Sequence, residues 1–276
     1  MKKILVPTDF SPEAENALKV LAQIAKNFDS EIFLLHMLEL PLDLIDPSQP
    51  RGTGDLPEAL FFMKLAHQRF NEVMKKDYLK GIKVNETVEF HEAFDGIMEI
   101  SKKHQCDVII MGSSGADGLK EIFIGSNTEK VVRHSEIPVL VIKKEIPLFE
   151  VKKFVFATDL DSESIPTFKK AIDFANKLDT TIELVMVNTA SKFSTTDEID
   201  DKLKSFTENI DEADYQFSVY NDVNVETGIL NYGNKINADL IGISTHGRKG
   251  LAHFINGSLS EDLVNHAKRP IVTFKI

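Results

Sequence analysis

Short apolar runs separated by amphipathic stretches recur along this chain, and their spacing predicts alternating strands and helices. In the first half the strands fall near 2–7, 31–38, 84–91, 107–112 and 138–143. The run Val108-Ile109-Ile110-Met111 is short and apolar enough for a strand buried on both faces. Between the first two strands, Ser11-Pro12-Glu13 announces a helix with an N-cap serine, a proline at the first helical position and an acid in the first turn. Alternation of this kind, with strands this apolar, implies a parallel, doubly wound α/β sheet.

The pattern then repeats. Ile4-Leu5-Val6-Pro7-Thr8-Asp9 returns 150 residues later as Phe154-Val155-Phe156-Ala157-Thr158-Asp159, and Ile32-Phe33-Leu34-Leu35-His36-Met37 returns as Ile182-Glu183-Leu184-Val185-Met186-Val187. Farther on the offset is 132, matching Asp107-Val108-Ile109 to Asp239-Leu240-Ile241, Gly125-Ser126 to Gly257-Ser258 and Pro138 to Pro270. Solenoid periods are roughly 20–50 residues, so a whole domain is duplicated here. The two domains are expected at 1–145 and 146–276, with the boundary near Lys144 to Glu150, where Ile146-Pro147 interrupts. The offsets differ by 150 − 132 = 18 residues, which places an insertion in the first half at Pro41 to Glu58, with Pro41, Pro47, Pro50, Pro57, Gly52 and Gly54. This reads as a long loop, either a lid over the glycine-rich segment at 112–125 or a tolerated surface insertion.

Candidate chemistry sits behind the fourth strand. Gly112-Ser113-Ser114-Gly115 is followed, after nine residues, by Gly125-Ser126 and a helical segment ending at His134. Backbone N–H groups without intrahelical partners and the helix dipole favour an anion at such a place, and glycine lets the backbone approach phosphate oxygens. The spacing reads as nucleotide binding, against the alternative of a glycine-rich turn without a ligand. Ligands of doubly wound sheets sit outside the carboxyl ends of the strands, which would bring Thr8, Asp9, Met37 and Gly112 to one crevice. Asp9 and Asp159 also fit a simpler role as turn caps.

Other features narrow the function. A net charge of −11 argues against a binder of nucleic-acid backbone. No run of 18 apolar residues is present, Met1-Lys2-Lys3 leads into a strand too short for a secretory segment, and the single Cys106 forms no internal disulfide, so a cytoplasmic chain without a membrane partner is expected. Cys106, matched by Ala238, reads as a small core residue, and the 19 phenylalanines read as core. His134 and His266 fit helix carboxyl ends, and Glu129 and Lys130 fit a solvated face. His246 lies in the second glycine segment without a carboxylate or thiol at metal spacing, so no protein metal site is expected. The glycine loop lacks the Gly-Lys-[Ser/Thr] ending of a P-loop and no Gly-x-Ser-x-Gly elbow occurs, so no catalytic residue is assigned.

Gly112-x2-Gly115-x9-Gly125-Ser126, with Pro7-Thr8-Asp9 at the start and Ile137-Pro138-Val139-Leu140-Val141 at the end of the half, closely resembles the universal stress protein family. The resemblance covers the whole chain as a tandem of two Rossmann-like domains, with strand order 3-2-1-4-5 in each. It implies an ATP, ADP or AMP ligand, with Mg²⁺ between phosphates. By resemblance the nucleotide residues are Pro7, Thr8, Asp9, Met37, Met111, Gly112, Gly115, Gly125, Ser126 and Asn127, with Asp9 on the ribose and the Met37 backbone at adenine. The second half departs from the motif: Ser244 stands where the first glycine belongs and Ala157 replaces Pro7. A second, weaker site would comprise Thr158, Asp159, Val187, Ser244, Gly247, Gly257 and Ser258. The serine would crowd a nucleotide, demand another backbone conformation, or donate a hydrogen bond of its own. The resemblance also implies an intramolecular pseudo-twofold dimer joined through the final antiparallel strands, with further homodimerisation left open. The expected function is a nucleotide-binding stress sensor or regulator with an unidentified protein partner. A slow ATPase or adenylyl-transfer enzyme and a ligand-free scaffold are the alternatives.

Overall fold

The computed structural model describes residues 1–38, 55–90, 92–113, 125–211, 214–245 and 259–276. Among them, two compact units separate: Met1–Ser113 with Lys144–Phe149, and Ser114–Lys143 with Glu150–Ile276.

The first unit contains β1 (Lys3–Pro7), α1 (Pro12–Phe28), β2 (Glu31–Met37), α2 (Asp55–Met74), β3 (Lys83–Glu89), α3 (Ala93–Lys103) and β4 (Val108–Gly112). Its strands run parallel in the order β3-β2-β1-β4. Ile4, Leu5 and Val6 of the central β1 are fully buried, as a strand covered on both faces requires. Helix α1 begins as its sequence predicts: Ser11 Oγ accepts from Ala14 N–H at 3.2 Å and Pro12 opens the first turn. It buries Ala14, Ala17, Leu18, Leu21 and Ala25 and stops at Asp29 in the left-handed conformation.

The expected loop from Pro41 to Glu58 is corrected at its far end, because α2 already starts at Asp55. Pro57 lies in the first helical turn, where backbone N–H groups have no intrahelical acceptor and proline removes nothing. Residues 39–54, and with them the lid reading, lie outside the described residues.

The second unit contains α4 (Ser126–His134) and β5 (Val139–Ile142), then β6 (Phe154–Ala157), α5 (Ile165–Lys177), β7 (Ile182–Thr189), α6 (Thr196–Phe206), β8 (Tyr215–Asp222), α7 (Val225–Ile236), β9 (Leu240–Thr245), α8 (Leu259–His266) and β10 (Ile271–Lys275). Its strands follow the order β8-β7-β6-β9-β10-β5. The five strands of the second repeat are parallel in the expected order 3-2-1-4-5, and β5 adds antiparallel to β10. In that pairing Leu140 faces Val272, a separation of 272 − 140 = 132 residues, which is the offset of the duplication. On either side of that pair Val141 faces Ile271 and Val139 faces Thr273, so the pairing is symmetric about Leu140 and Val272, the mark of an isologous contact.

Phenylalanine fills the cores. Phe70 in the first unit and Phe154, Phe156, Phe168, Phe206 and Phe274 in the second are fully buried, whereas Phe61 and Phe193 are exposed. Cys106 is buried, and burial pushes its thiol up to about 11, leaving it protonated and unreactive. The duplication also copied one clamp. Asp107 accepts from the N–H groups of Lys2 and Lys3 at 2.6 and 3.0 Å, while Lys3 Nζ donates to the His104 carbonyl at the end of α3. Asp239 does the same for Lys152 and Lys153, and Lys153 Nζ reaches the Ile236 carbonyl at the end of α7.

Candidate functional site

In the first unit, β1 pairs with both β2 and β4, so the carboxyl ends of these three strands adjoin. Pro7 closes β1, Met37 closes β2, and Met111 and Gly112 close β4, with Met111 buried. Behind Pro7 the chain makes a turn fixed by its own polar groups. Thr8 N–H donates to the Leu35 carbonyl at 2.8 Å, Thr8 Oγ1 accepts from Phe10 N–H at 3.0 Å, and Asp9 Oδ1 accepts from Ser11 N–H at 2.9 Å. Asp9 is thus an Asx-turn residue, as its simpler role requires, and its carboxylate remains exposed. Phe10 pays for the turn with a left-handed φ of 62°.

The two described glycines of the motif differ in kind. A Cβ on Gly112 would lie 2.2 Å from the Glu13 carbonyl oxygen and 2.7 Å from the Ala14 nitrogen, so glycine is required for β4 to pass the first turn of α1. Gly125 is the N-cap of α4 with φ −50° and ψ 134°, angles open to any residue. A Cβ there meets none of the described atoms within 4 Å. Among the described residues, neither backbone conformation nor packing asks for glycine at 125. It stands with Ser126 and Asn127 at the start of a nine-residue helix, and Gly125 and Ser126 are exposed. Gly115 lies outside the described residues.

In the second repeat the same turn recurs. Thr158 N–H donates to the Val185 carbonyl, Thr158 Oγ1 accepts from Leu160 N–H, Asp159 Oδ1 accepts from Asp161 N–H, and Leu160 has φ 63°. The chain beyond the turn takes a different path. A 3-10 turn over Ser162–Ser164 precedes α5, whose second residue, Pro166, has no N–H to donate back to Ser162. Ser244, in the place of Gly112, turns its Oγ toward this helix and lies 2.6 Å from Thr167 Oγ1, which donates to the Ser164 carbonyl. The serine therefore accompanies a different local backbone, and its hydroxyl is engaged within the protein. Asp161 replaces Ser11, and burial together with the Asp159 carboxylate raises its carboxyl above the ordinary range. Val187 lies within β7, which continues two residues further to Thr189. Gly247, Gly257, Ser258 and His246 lie outside the described residues.

Similarity to known proteins tracks the duplication. The profile of the universal stress protein family matches residues 1–143 and again residues 150–275. The chain belongs to this family of stress-response proteins. Two universal stress proteins of Methanocaldococcus jannaschii, MJ0531 and MJ0577, are each 32% identical to it, over 52% of this chain and 82% and 96% of their own lengths. A universal stress protein from Archaeoglobus fulgidus shares the fold over 99% of this chain and 98% of its own, with a TM-score of 0.74 at 22% identity.

Within this universal stress protein frame the histidines divide. His134 ends α4 with Nδ1 2.8 Å from the Lys130 carbonyl, the helix-end role expected of it. His266 ends α8 and also pairs with Glu226 at 2.5 Å, a contact between residues 40 apart that no local pattern announces. Glu129 pairs with Arg133 at 3.2 Å and Lys130 is exposed. Among the described residues no three acidic, histidine or cysteine side chains converge as a metal would require, and no helix is long and apolar enough to cross a membrane.

Proposed function

We propose that the first repeat binds an adenine nucleotide and that the chain acts as a nucleotide-dependent sensor or regulator. The observation that carries this reading is Gly125. Its angles are ordinary and no described atom lies near its missing Cβ, so nothing among the described residues requires glycine there, and its place at a helix N-terminus suits an approaching phosphate. The Gly112-x2-Gly115-x9-Gly125-Ser126 spacing supports it from the sequence side. The exposed Asp9 carboxylate suits the ribose hydroxyls and the strand end at Met37 suits adenine. Bound nucleotide supplies a charge that shifts a conformational equilibrium, and Mg²⁺ would travel with its phosphates. Regulation is favoured over catalysis because the glycine segment lacks the Gly-Lys-[Ser/Thr] ending whose lysine would neutralise the charge that develops on a transferred phosphoryl group.

The second repeat is the weaker binder. Ser244 is turned into α5, and the paired carboxylates of Asp159 and Asp161 repel a polyphosphate. Calorimetric titration with Mg-ATP tests the proposal. Gly125→Val should lower affinity by roughly a hundredfold while the protein stays folded, since its branches fill the phosphate approach. Wild-type affinity in folded Gly125→Val would remove the basis of the reading.

A further inference from the structure

One side chain outside the motif reaches the turn that follows β1. His36, on β2 beside Met37, has Nδ1 2.7 Å from the carbonyl oxygen of Thr8. A carbonyl oxygen only accepts, so Nδ1 carries the proton and, in the neutral ring, Nε2 carries the lone pair. The ring is fixed from two sides: its centroid lies 4.6 Å from that of Phe10, and Phe70 of α2 stands edge-on at 6.4 Å.

We infer that His36 is a positioning residue for nucleotide binding: by holding the Thr8 carbonyl, it orients the Thr8–Asp9 peptide and the Asp9 side chain toward the ligand. In a trans peptide the N–H points opposite to the C=O. Pinning the Thr8 oxygen to His36 therefore directs Asp9 N–H away from it, and among the described residues none accepts from that N–H. A ribose or phosphate oxygen would be its acceptor, next to the Asp9 carboxylate.

The second repeat is an internal control. Three of the four bonds at this turn are duplicated, from Thr158 N–H, Leu160 N–H and Asp161 N–H. The fourth is not, because Met186 occupies the place of His36 and Leu160 that of Phe10. The one bond that separates the two turns is the one His36 makes.

The inference rests on the nucleotide reading of the first repeat, and the experiment separates the two. Mg-ATP is titrated into wild-type, His36→Met and His36→Asn protein, with thermal unfolding of each. Asparagine carries its amide nitrogen as many bonds from the backbone as His Nδ1, so it can restore the bond to Thr8. His36→Met should raise the Kd about tenfold, and His36→Asn should keep it within about threefold of wild type. A purely structural role would shift the unfolding temperature and leave the Kd of the folded protein unchanged. Wild-type affinity in folded His36→Met overturns the inference alone. Absence of Mg-ATP binding by wild-type protein overturns the nucleotide reading and this inference with it.

Discussion

The turn after the first strand is built twice in this chain, and the two copies agree in everything that makes the turn and differ in what surrounds it. Thr8-Asp9 and Thr158-Asp159 accept the same backbone N–H groups and force the same left-handed residue behind them. Around the first copy stand Gly112, Ser11 and His36; around the second stand Ser244, Asp161 and Met186. The scaffold is the same in both repeats, while the second carries a larger side chain at Ser244 and an added carboxylate at Asp161. The shared threonine and aspartate belong to the scaffold, and under the proposed function the residues that are not shared set which copy is suited to a ligand.

The largest effect should come from exchanging the glycine and serine of that comparison. Gly112→Ala puts a Cβ against the backbone of Glu13, and overpacking of this kind costs about 2–3 kcal/mol, measurable by denaturant unfolding. Ser244→Gly loses the contact with Thr167, costing about 1 kcal/mol. It should create no strong nucleotide site, because the 3-10 turn and Asp161 remain. A tight second site in Ser244→Gly would show that the serine alone separates the repeats.

A smaller effect is expected at the shared aspartates. Asp9→Ala should weaken Mg-ATP binding roughly tenfold, the loss of a charge-assisted hydrogen bond, while Asp159→Ala leaves strong binding unchanged. Equal losses in isothermal titration would mean that the two turns serve one function.

A pH-dependent effect is expected at the final strands. Lys143 and Lys275 are equivalent by the 132-residue offset, and each reaches a helix carboxyl end in the other repeat: Lys143 Nζ donates to the Asn265 carbonyl at 2.5 Å, and Lys275 Nζ to that of His134 at 3.4 Å. Lys275 also meets Glu136 at 2.5 Å, whereas the counterpart of Glu136 is Lys268. Burial lowers the Lys143 ammonium to about 8. Its folded pKa lies below the unfolded value, so the charged form is the costly one. Stability should rise as pH increases from about 8 toward the unfolded lysine value near 10.4. Unfolding curves across that window should lose the rise in Lys143→Met.

Much of this was legible in the sequence because it is local or periodic. The strands and the Ser11-Pro12 helix start follow from apolar spacing and from the duplication itself, while the strand order comes from the family resemblance. The start of α2 at Asp55 was hidden because Pro57 reads as a loop residue, although proline is tolerated in a first turn. At the site, Asp9 and the glycines carry a motif. The contacts of His36 with Thr8, Ser244 with Thr167 and His266 with Glu226 join residues 28, 77 and 40 positions apart, which only the folded chain brings together. The glycines also look alike as letters; among the described residues, their neighbours separate Gly112, required by packing, from Gly125, which is not.

The proposed division of labour between the repeats is one strong nucleotide site against a weak or absent one. Calorimetric titration of the wild-type chain with Mg-ATP, read as stoichiometry, decides it. One strong site per chain is expected, lost in Gly125→Val and retained in Asp159→Ala. Two equivalent sites per chain, or one strong site lost in Asp159→Ala and kept in Gly125→Val, would contradict that division.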